Sequence, residues 1–594
     1  MGSTANLLLV LVLVWMGAAT GWVASSPQPD RTATQQEAAT AQASSVVTDP
    51  LLFEAIAPAF RSEVMAATAD RIARYTITAT LHPPGSQMVS TSPGTAGASP
   101  AATPEARPDA RGATPVTSTN QATITGIQEL RFINDTGDRL SDLYLRLYPN
   151  LRQYDAGRMV IHDLTVDGVA VRPQPPPLYS VPAGTPVVTP SVEQADLILL
   201  QVPLPKPLAP GDTTSVRMDF TTTVPVEPPD GTGLFRYRPE TGSWTLAHWF
   251  PILAGYDSVT GWEVDPPAAW SDPTFANAAL FDVTLTAPAD LVLVTTGVEV
   301  EQQMQGAHQV RRFVSGPVRD FVLVADPTPI SASVEVNGTT VTSYFPPDDA
   351  AGGEQILAWA AQALAVFSEL FGPYPYATLD LAAVPDVIGY EFPQLIFIGA
   401  DYYADPITTG SRPGAVEFLV AHEIAHQWWY GLVGNNPHQH AFLDEGLAEY
   451  SVVLYFEHQY GKAAAQAHLD RGLTLRYASM LLTEGDHVVD QPTADFPDRQ
   501  TYYTTVYEKG GLGFGAIRHT IGDTAFFTGL RQYAQTMRFR VATSEDLLAI
   551  FEETSGGDLD EVWDLWFQRA SGRVVIVLEP DLATPVATPV GPHR

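Results

Sequence analysis

Hydrophobic and polar residues alternate where the first patterned part of the chain begins. Tyr75, Ile77, Ala79 and Leu81 face one side of an extended segment, the period-two signature of a half-buried strand. The alternation returns over residues 122–133 and at Leu143, Leu145 and Leu147. Shorter strand patterns follow at 197–204, 216–220, 281–285 and 291–295. Between the first two strands, residues 84–121 lose all periodicity in a Pro/Ala/Ser/Thr tract. That tract reads as a long disordered loop inserted between two strands of one domain. Residues 244–270 are rich in aromatics. Many short strands separated by Pro/Gly turns predict a β-sandwich over 49–330.

From Glu354 the period changes. Ile356, Ala360, Ala363 and Phe367 fall on one helical face. Helical patterns recur at 413–430, 443–455, 463–482, 510–521, 524–536 and 545–554, with strand patterns at 379–384 and 395–398. A mainly helical domain with a small sheet is expected over 331–577. The boundary lies near 327–331, or a little later at the hairpin-like Asn337-Gly338. No fixed-period repeat is present.

The ends differ from both domains. Residues 7–23 are an unbroken apolar run followed by small residues, so 1–25 reads as a signal peptide or N-terminal membrane anchor. Residues 26–48 read as a disordered linker and 578–594 as a disordered tail. An extracytoplasmic protein is expected, secreted or held at the cell membrane by this segment. The formal net charge of −34 repels phosphate backbones and excludes nucleic acid as a partner. The chain has no cysteine, so a metal site must use histidine and carboxylates. The oligomeric state is not legible.

One motif concentrates the chemistry. In Ala421-His422-Glu423-Ile424-Ala425-His426, two histidines four residues apart project from one face of a predicted helix. Two imidazoles at that spacing can grip one Zn²⁺, with Glu423 beside the water that the metal activates. A bare His-Glu-x-x-His also occurs by chance as a pair of core or surface histidines. Eighteen residues after His426 comes Glu445, on a second helix that can return it to the metal as third ligand. Glu449, one turn further on, either orients a ligand imidazole or is a solvated carboxylate. His438 and His440, in the intervening loop, read as ordinary loop histidines.

This spacing resembles the aminopeptidase N-like family of gluzincin zinc peptidases, which also includes leukotriene hydrolases. Gly389-Tyr390-Glu391-Phe392-Pro393 is similar to the family's Gly-x-Met-Glu-Asn motif, with Tyr390 where Met is usual and Phe392 where Asn is usual. Val506-Tyr507-Glu508-Lys509-Gly510 is similar to its Tyr-x-Lys-Gly segment, and Gly557-Asp558-Leu559 with Trp563 and Trp566 to the close of its catalytic domain. The resemblance implies a saddle-like N-terminal β domain followed by a thermolysin-like α/β catalytic domain. It implies one zinc per chain on His422, His426 and Glu445, with Glu423 as general base and Tyr507 as oxyanion donor. Gly389, Tyr390 and Glu391 would bind the peptide substrate, Glu391 through its free amine. The implied activity is removal of N-terminal residues from peptides. Two alternatives stand beside it: a zinc endopeptidase or other hydrolase of the same fold that ignores the free N-terminus, and a non-catalytic binding homologue. The β-domain residue that completes the amine site is not identifiable.

Overall fold

The computed structural model describes residues 49–86, 121–154, 157–175, 198–226, 233–267, 270–409 and 414–570. The expected leader at 1–25, linker at 26–48 and tail at 578–594 lie outside them, as does nearly all of the 84–121 tract. Among the described residues, no helix is long and apolar enough to cross a membrane.

An eight-stranded sheet dominates the first half. Its strand Ala73–His82 buries Tyr75, Ile77, Ala79 and Leu81 and turns its threonines outward, as the alternation predicts. This strand pairs antiparallel with Ala122–Ile133, Tyr75 opposite Leu130 and Leu81 opposite Ile124, so the Pro-rich tract joins two sheet neighbours. On its other edge it runs parallel to Ala279–Pro288, where Tyr75 stacks on Phe281 with ring centroids 4.6 Å apart. Two-stranded, three-stranded and four-stranded sheets complete this half. The aromatic stretch supplies Trp244, Trp249 and Phe250 to its core.

Ile330–Val336 and Thr339–Phe345 form a hairpin across Asn337-Gly338. Both turn residues have positive φ, 52° and 90°, as a two-residue turn between twisted strands requires. Thr339–Phe345 then pairs parallel with Thr378–Val384 after the long helix Ala350–Phe371, a βαβ crossover. The hairpin thus belongs to the sheet of the second half. That five-stranded sheet ends at the short strand Gly389–Tyr390, paired antiparallel to Leu395–Gly399.

The helices follow the predicted stripes with local departures. The patterns at 510–521 and 524–536 form one run, Gly510–Thr536, broken at Gly522, whose φ of 78° is not helical. A π-helical stretch, Leu469–Thr474, interrupts the pattern at 463–482. The pattern over 413–430 is too long, since the helix is Ala415–Ala425. Beyond it the chain leaves the helix, with Tyr430 at φ 111° and its N–H bonded to the Val433 carbonyl.

The two halves share buried polar contacts. Arg319 of the β half, 2% exposed, donates to the carbonyls of Tyr430 and Arg540 at 2.6 Å each. Asn436 donates to Asp257 and Glu263. These contacts fix the loop that follows the His-bearing helix against the β half.

Candidate metal centre and its cleft

The helix Ala415–Ala425 is apolar nearly all round, with Val416, Val420, Ala421, Ile424 and Ala425 buried. Such a helix packs inside the protein and carries its polar side chains in with it. His422, Glu423 and the capping His426 are therefore 7%, 5% and 2% exposed. The second helix, Glu445–Tyr460, begins with Asp444 accepting from the Glu445 N–H and presents Glu445 at its first position.

Three side-chain atoms converge. His422 Nε2 and His426 Nε2 lie 3.1 Å apart, and Glu445 Oε2 lies 3.3 Å from the first and 3.2 Å from the second. Of the opposite ring nitrogens, only that of His426 has a hydrogen bond. His426 Nδ1 donates to the Trp429 carbonyl at 3.0 Å, and His422 Nδ1 faces Glu449 Oε2 at 3.6 Å. With the proton on each Nδ1, both Nε2 atoms present lone pairs. Two lone pairs and a carboxylate oxygen then meet with no donor between them, which is favourable only with a cation. A tetrahedral Zn²⁺ with bonds of about 2.0–2.1 Å keeps its ligand atoms about 3.3–3.4 Å apart, so this donor set fits. Among the described residues the only other such group is Glu552, Asp558 and Asp560, which is largely exposed and carboxylate-only.

The electrostatics agree. Burial works against charging His426, yet the hydrogen bond and charge of Glu445 outweigh it and push it up to about 9. His422 is raised in the same way by Glu445 and Glu449. Glu423 is pushed up to about 7 by burial, opposed by the two imidazoles. Its Oε2 is buried without a hydrogen-bond partner. A buried carboxylate held near neutrality is suited to accept and return a proton.

The other expected residues surround this centre. A Cβ on Gly389 would lie 2.1 Å from Glu423 Oε1, so any side chain there would have to displace the carboxylate. Tyr507 lies in a π-helical turn, Thr504–Lys509, and stacks on His422 with ring centroids 6.0 Å apart. Its hydroxyl donates to Glu445 Oε1. Tyr502 and Tyr503 are its neighbours, but Tyr503 is bonded to Arg499 instead. Lys509 is buried and donates to Asp486 and to the carbonyls of His487 and Arg569. His438 contacts the Asp272 carbonyl and His440 the Asp490 carboxylate, so neither joins the donor set.

Beside the centre lies a narrow cleft bounded by Asp272, Tyr390, Glu391, Phe392, Tyr430 and Asp444. Tyr390 and Phe392 stack at 6.2 Å, and Phe392 also packs on Phe397. Glu391 is raised well above the ordinary carboxylate range, by burial first and by the Asp272 charge next. Asp272 is itself pushed up to about 7 by burial and by Glu445. Sequence reasoning missed Asp272, the carboxylate that the β half brings to the cleft. Its only signal was an Asp-Pro step closing the aromatic stretch. It also missed Gln427, directly after the second histidine.

Comparison with known proteins places the helical half. Residues 357–566 match the family described as Peptidase family M1 domain. The chain is similar to Aminopeptidase M1-A of Oryza sativa subsp. japonica, 25% identical over 323 residues that cover 52% of this chain and 36% of that protein. It is also similar to human Aminopeptidase B, 27% identical over 257 residues, 40% of this chain and 38% of that one. The chain thus spans little more than a third of the curated relatives it matches. Among solved structures it resembles the M1 zinc metallopeptidase of Deinococcus radiodurans, with TM-score 0.53, 19% identity and coverage of 87% and 96%. A mutant of that protein bound to a Tyr-Ser-Ala substrate gives TM-score 0.54 at 20% identity, again covering 87% and 96%. This likeness shows the two-domain fold.

Proposed function

We propose that this chain, whose helical half is a peptidase family M1 domain of the aminopeptidase N-like group, is a zinc-dependent aminopeptidase. One zinc per chain would be held by His422, His426 and Glu445. When bound, it supplies a Lewis acid that polarises the scissile carbonyl and lowers the pKa of water at the site. Glu423 takes the proton from the attacking water and returns it to the leaving amine. Tyr507 turns its hydroxyl from Glu445 toward the oxyanion as negative charge develops there. Glu391 and Asp272 hold the substrate's free α-ammonium, whose positive charge relieves the repulsion between them. Anchoring the amine beside the donor set places the cut one residue from the N-terminus.

The observation that carries this reading is that two carboxylates, Glu391 and Asp272, line one cleft and both lie within the electrostatic reach of Glu445 and His426 of the three-atom cluster. An extracytoplasmic location belongs to the same proposal and is supported by the apolar run at residues 7–23.

Matched peptides that differ only in an N-terminal acetyl cap test the reading. The wild type should cut the free peptide and barely cut the capped one, and a chelator should abolish both activities. Glu391→Gln should lower kcat/KM for the free peptide by about 10- to 100-fold, since charge-assisted hydrogen bonds contribute about 1.5–3 kcal/mol. The capped peptide should be little affected. Equal cleavage of both by the wild type at an internal bond would establish the endopeptidase reading instead.

A further inference from the structure

Gln427 is the first residue after the second metal-binding histidine, and it is 1% exposed. Its amide is saturated. Nε2 donates to the carbonyls of Glu391 and Phe392, at 3.3 and 3.2 Å. Oε1 accepts from the Gln394 N–H at 3.0 Å and from the Tyr374 hydroxyl at 3.2 Å. The orientation of the amide is fixed by its partners: two carbonyls can only accept and a backbone N–H can only donate.

Three of these four bonds reach the turn Glu391–Gln394, between the strands Gly389–Tyr390 and Leu395–Gly399. Left alone, that turn would hold its shape poorly. Gln394 sits at φ 65°, a region that a side-chain-bearing residue enters only when its surroundings hold it there. A second bond, from Gln394 Nε2 to the Ser315 carbonyl at 2.8 Å, ties the same residue to the β half. The Glu391 side chain leaves the chain from the residue whose carbonyl Gln427 grips.

We propose that Gln427 is a positioning residue that sets the distance between the amine-holding Glu391 and the metal centre. This rests on the reading of Glu391 given above. Gln427 touches neither ligand atom nor substrate. It joins the segment carrying His426 to the segment carrying Glu391, so the register between cut and amine is set through one side chain. The ligand geometry does not depend on it, because His426 is oriented by its own bond to the Trp429 carbonyl. The effect of losing Gln427 should therefore fall on recognition of the free amine and spare metal binding.

Gln427→Glu is nearly isosteric. It keeps acceptors for the Gln394 N–H and the Tyr374 hydroxyl but sets a carboxylate oxygen against the two carbonyls. Tyr374→Phe, a milder change, removes one donor to Oε1 and guards against a variant that fails to fold. Both are purified as full chains and assayed for zinc content and for kcat and KM on the capped and free peptides. Zinc content should match the wild type. For Gln427→Glu, kcat/KM on the free peptide should fall by about ten-fold or more while the capped peptide changes less than about two-fold; Tyr374→Phe should give a smaller loss in the same direction. Loss of zinc in proportion to activity, or an equal fall on both peptides in both variants, would overturn the proposal. So would full discrimination retained by both variants while the wild type discriminates. A wild type that ignores the cap removes the reading of Glu391 and this inference with it, so the two failures are distinguishable.

Discussion

In the β half His248 is enclosed by Tyr148, Tyr154, Thr274 and Asp320; in the helical half His422 and His426 are enclosed by Glu445, Glu449 and Tyr507. Both groups are buried, and both combine imidazole, carboxylate and phenol. They differ in what the ring nitrogens meet. His248 Nδ1 contacts the Tyr154 hydroxyl and Nε2 the Thr274 hydroxyl, each able to donate or accept, while Asp320 stands 4.0 Å away. A neutral imidazole is satisfied there, and burial pushes His248 down to about 3. At the other centre the ring nitrogens beside Glu445 meet only acceptors, so a proton or a metal ion must fill the gap. Residue types alone therefore do not make a metal site. What decides it is whether hydroxyl groups meet the ring nitrogens, as they do at His248, or only acceptors do, as at the Nε2 atoms of His422 and His426.

The largest test of this contrast removes the proton carrier. Glu423→Gln should keep its zinc, because Glu423 is not in the donor set, and should lose hydrolysis by several orders of magnitude, since general acid–base catalysis contributes about 10²–10⁴-fold and water activation is lost with it. Glu445→Ala should instead lower zinc content itself. Metal analysis alongside kcat separates the two. If both variants were equally replete and equally active, the three-atom cluster would be as inert as the one around His248.

Tyr507→Phe comes next. It removes the hydroxyl that donates to Glu445 while leaving all three ligand side chains in place, and loss of an oxyanion donor costs about 10²–10³ in kcat. KM should move less, because the donor acts as charge develops. Wild-type kcat in this variant would shift the donor role to Tyr502 or Tyr503.

Much of this difference was legible in the sequence. The spacing of His422, His426 and Glu445 needs only helical geometry and a return loop, and both are local. Strand Ala73–His82 and the break at Gly522 are likewise set by nearby residues. What escaped was non-local. Asp272 reaches the cleft from the β half across a chain separation that no periodicity encodes. Gln427 was indistinguishable from any polar residue at a helix end until its partners at 391–394 were in place. The helix over 413–430 was overextended because the apolar stripe continues through Trp428 and Trp429, which are buried in turns beyond the helix end.

The smallest effect concerns stability rather than turnover, and it tests the inert cluster directly. Burial pushes Asp320 up to about 7, opposed by the Phe321 N–H, and its Oδ2 has no hydrogen-bond partner. A carboxyl raised in the folded state stabilises fully below its unfolded pKa near 3.8, and that contribution is lost as pH rises toward about 7. His248 acts with the opposite slope. Lowered from 6.5 to about 3, it favours the folded state fully above pH 6.5 and loses that contribution as pH falls toward 3. Between about pH 4 and 6.5 the two slopes offset each other. Asp320→Asn keeps an acceptor for the Phe321 N–H but cannot ionise. The variant should therefore gain stability relative to the wild type on going from pH 4.5 to 8, by roughly 2 kcal/mol, about half the limit for three pKa units. Paired thermal scans of both proteins at each pH read this difference, and pH effects on the metal centre cancel between them. A difference that stays constant across the range would mean that Asp320 is ionised in the fold, with a cationic partner that His248 does not supply.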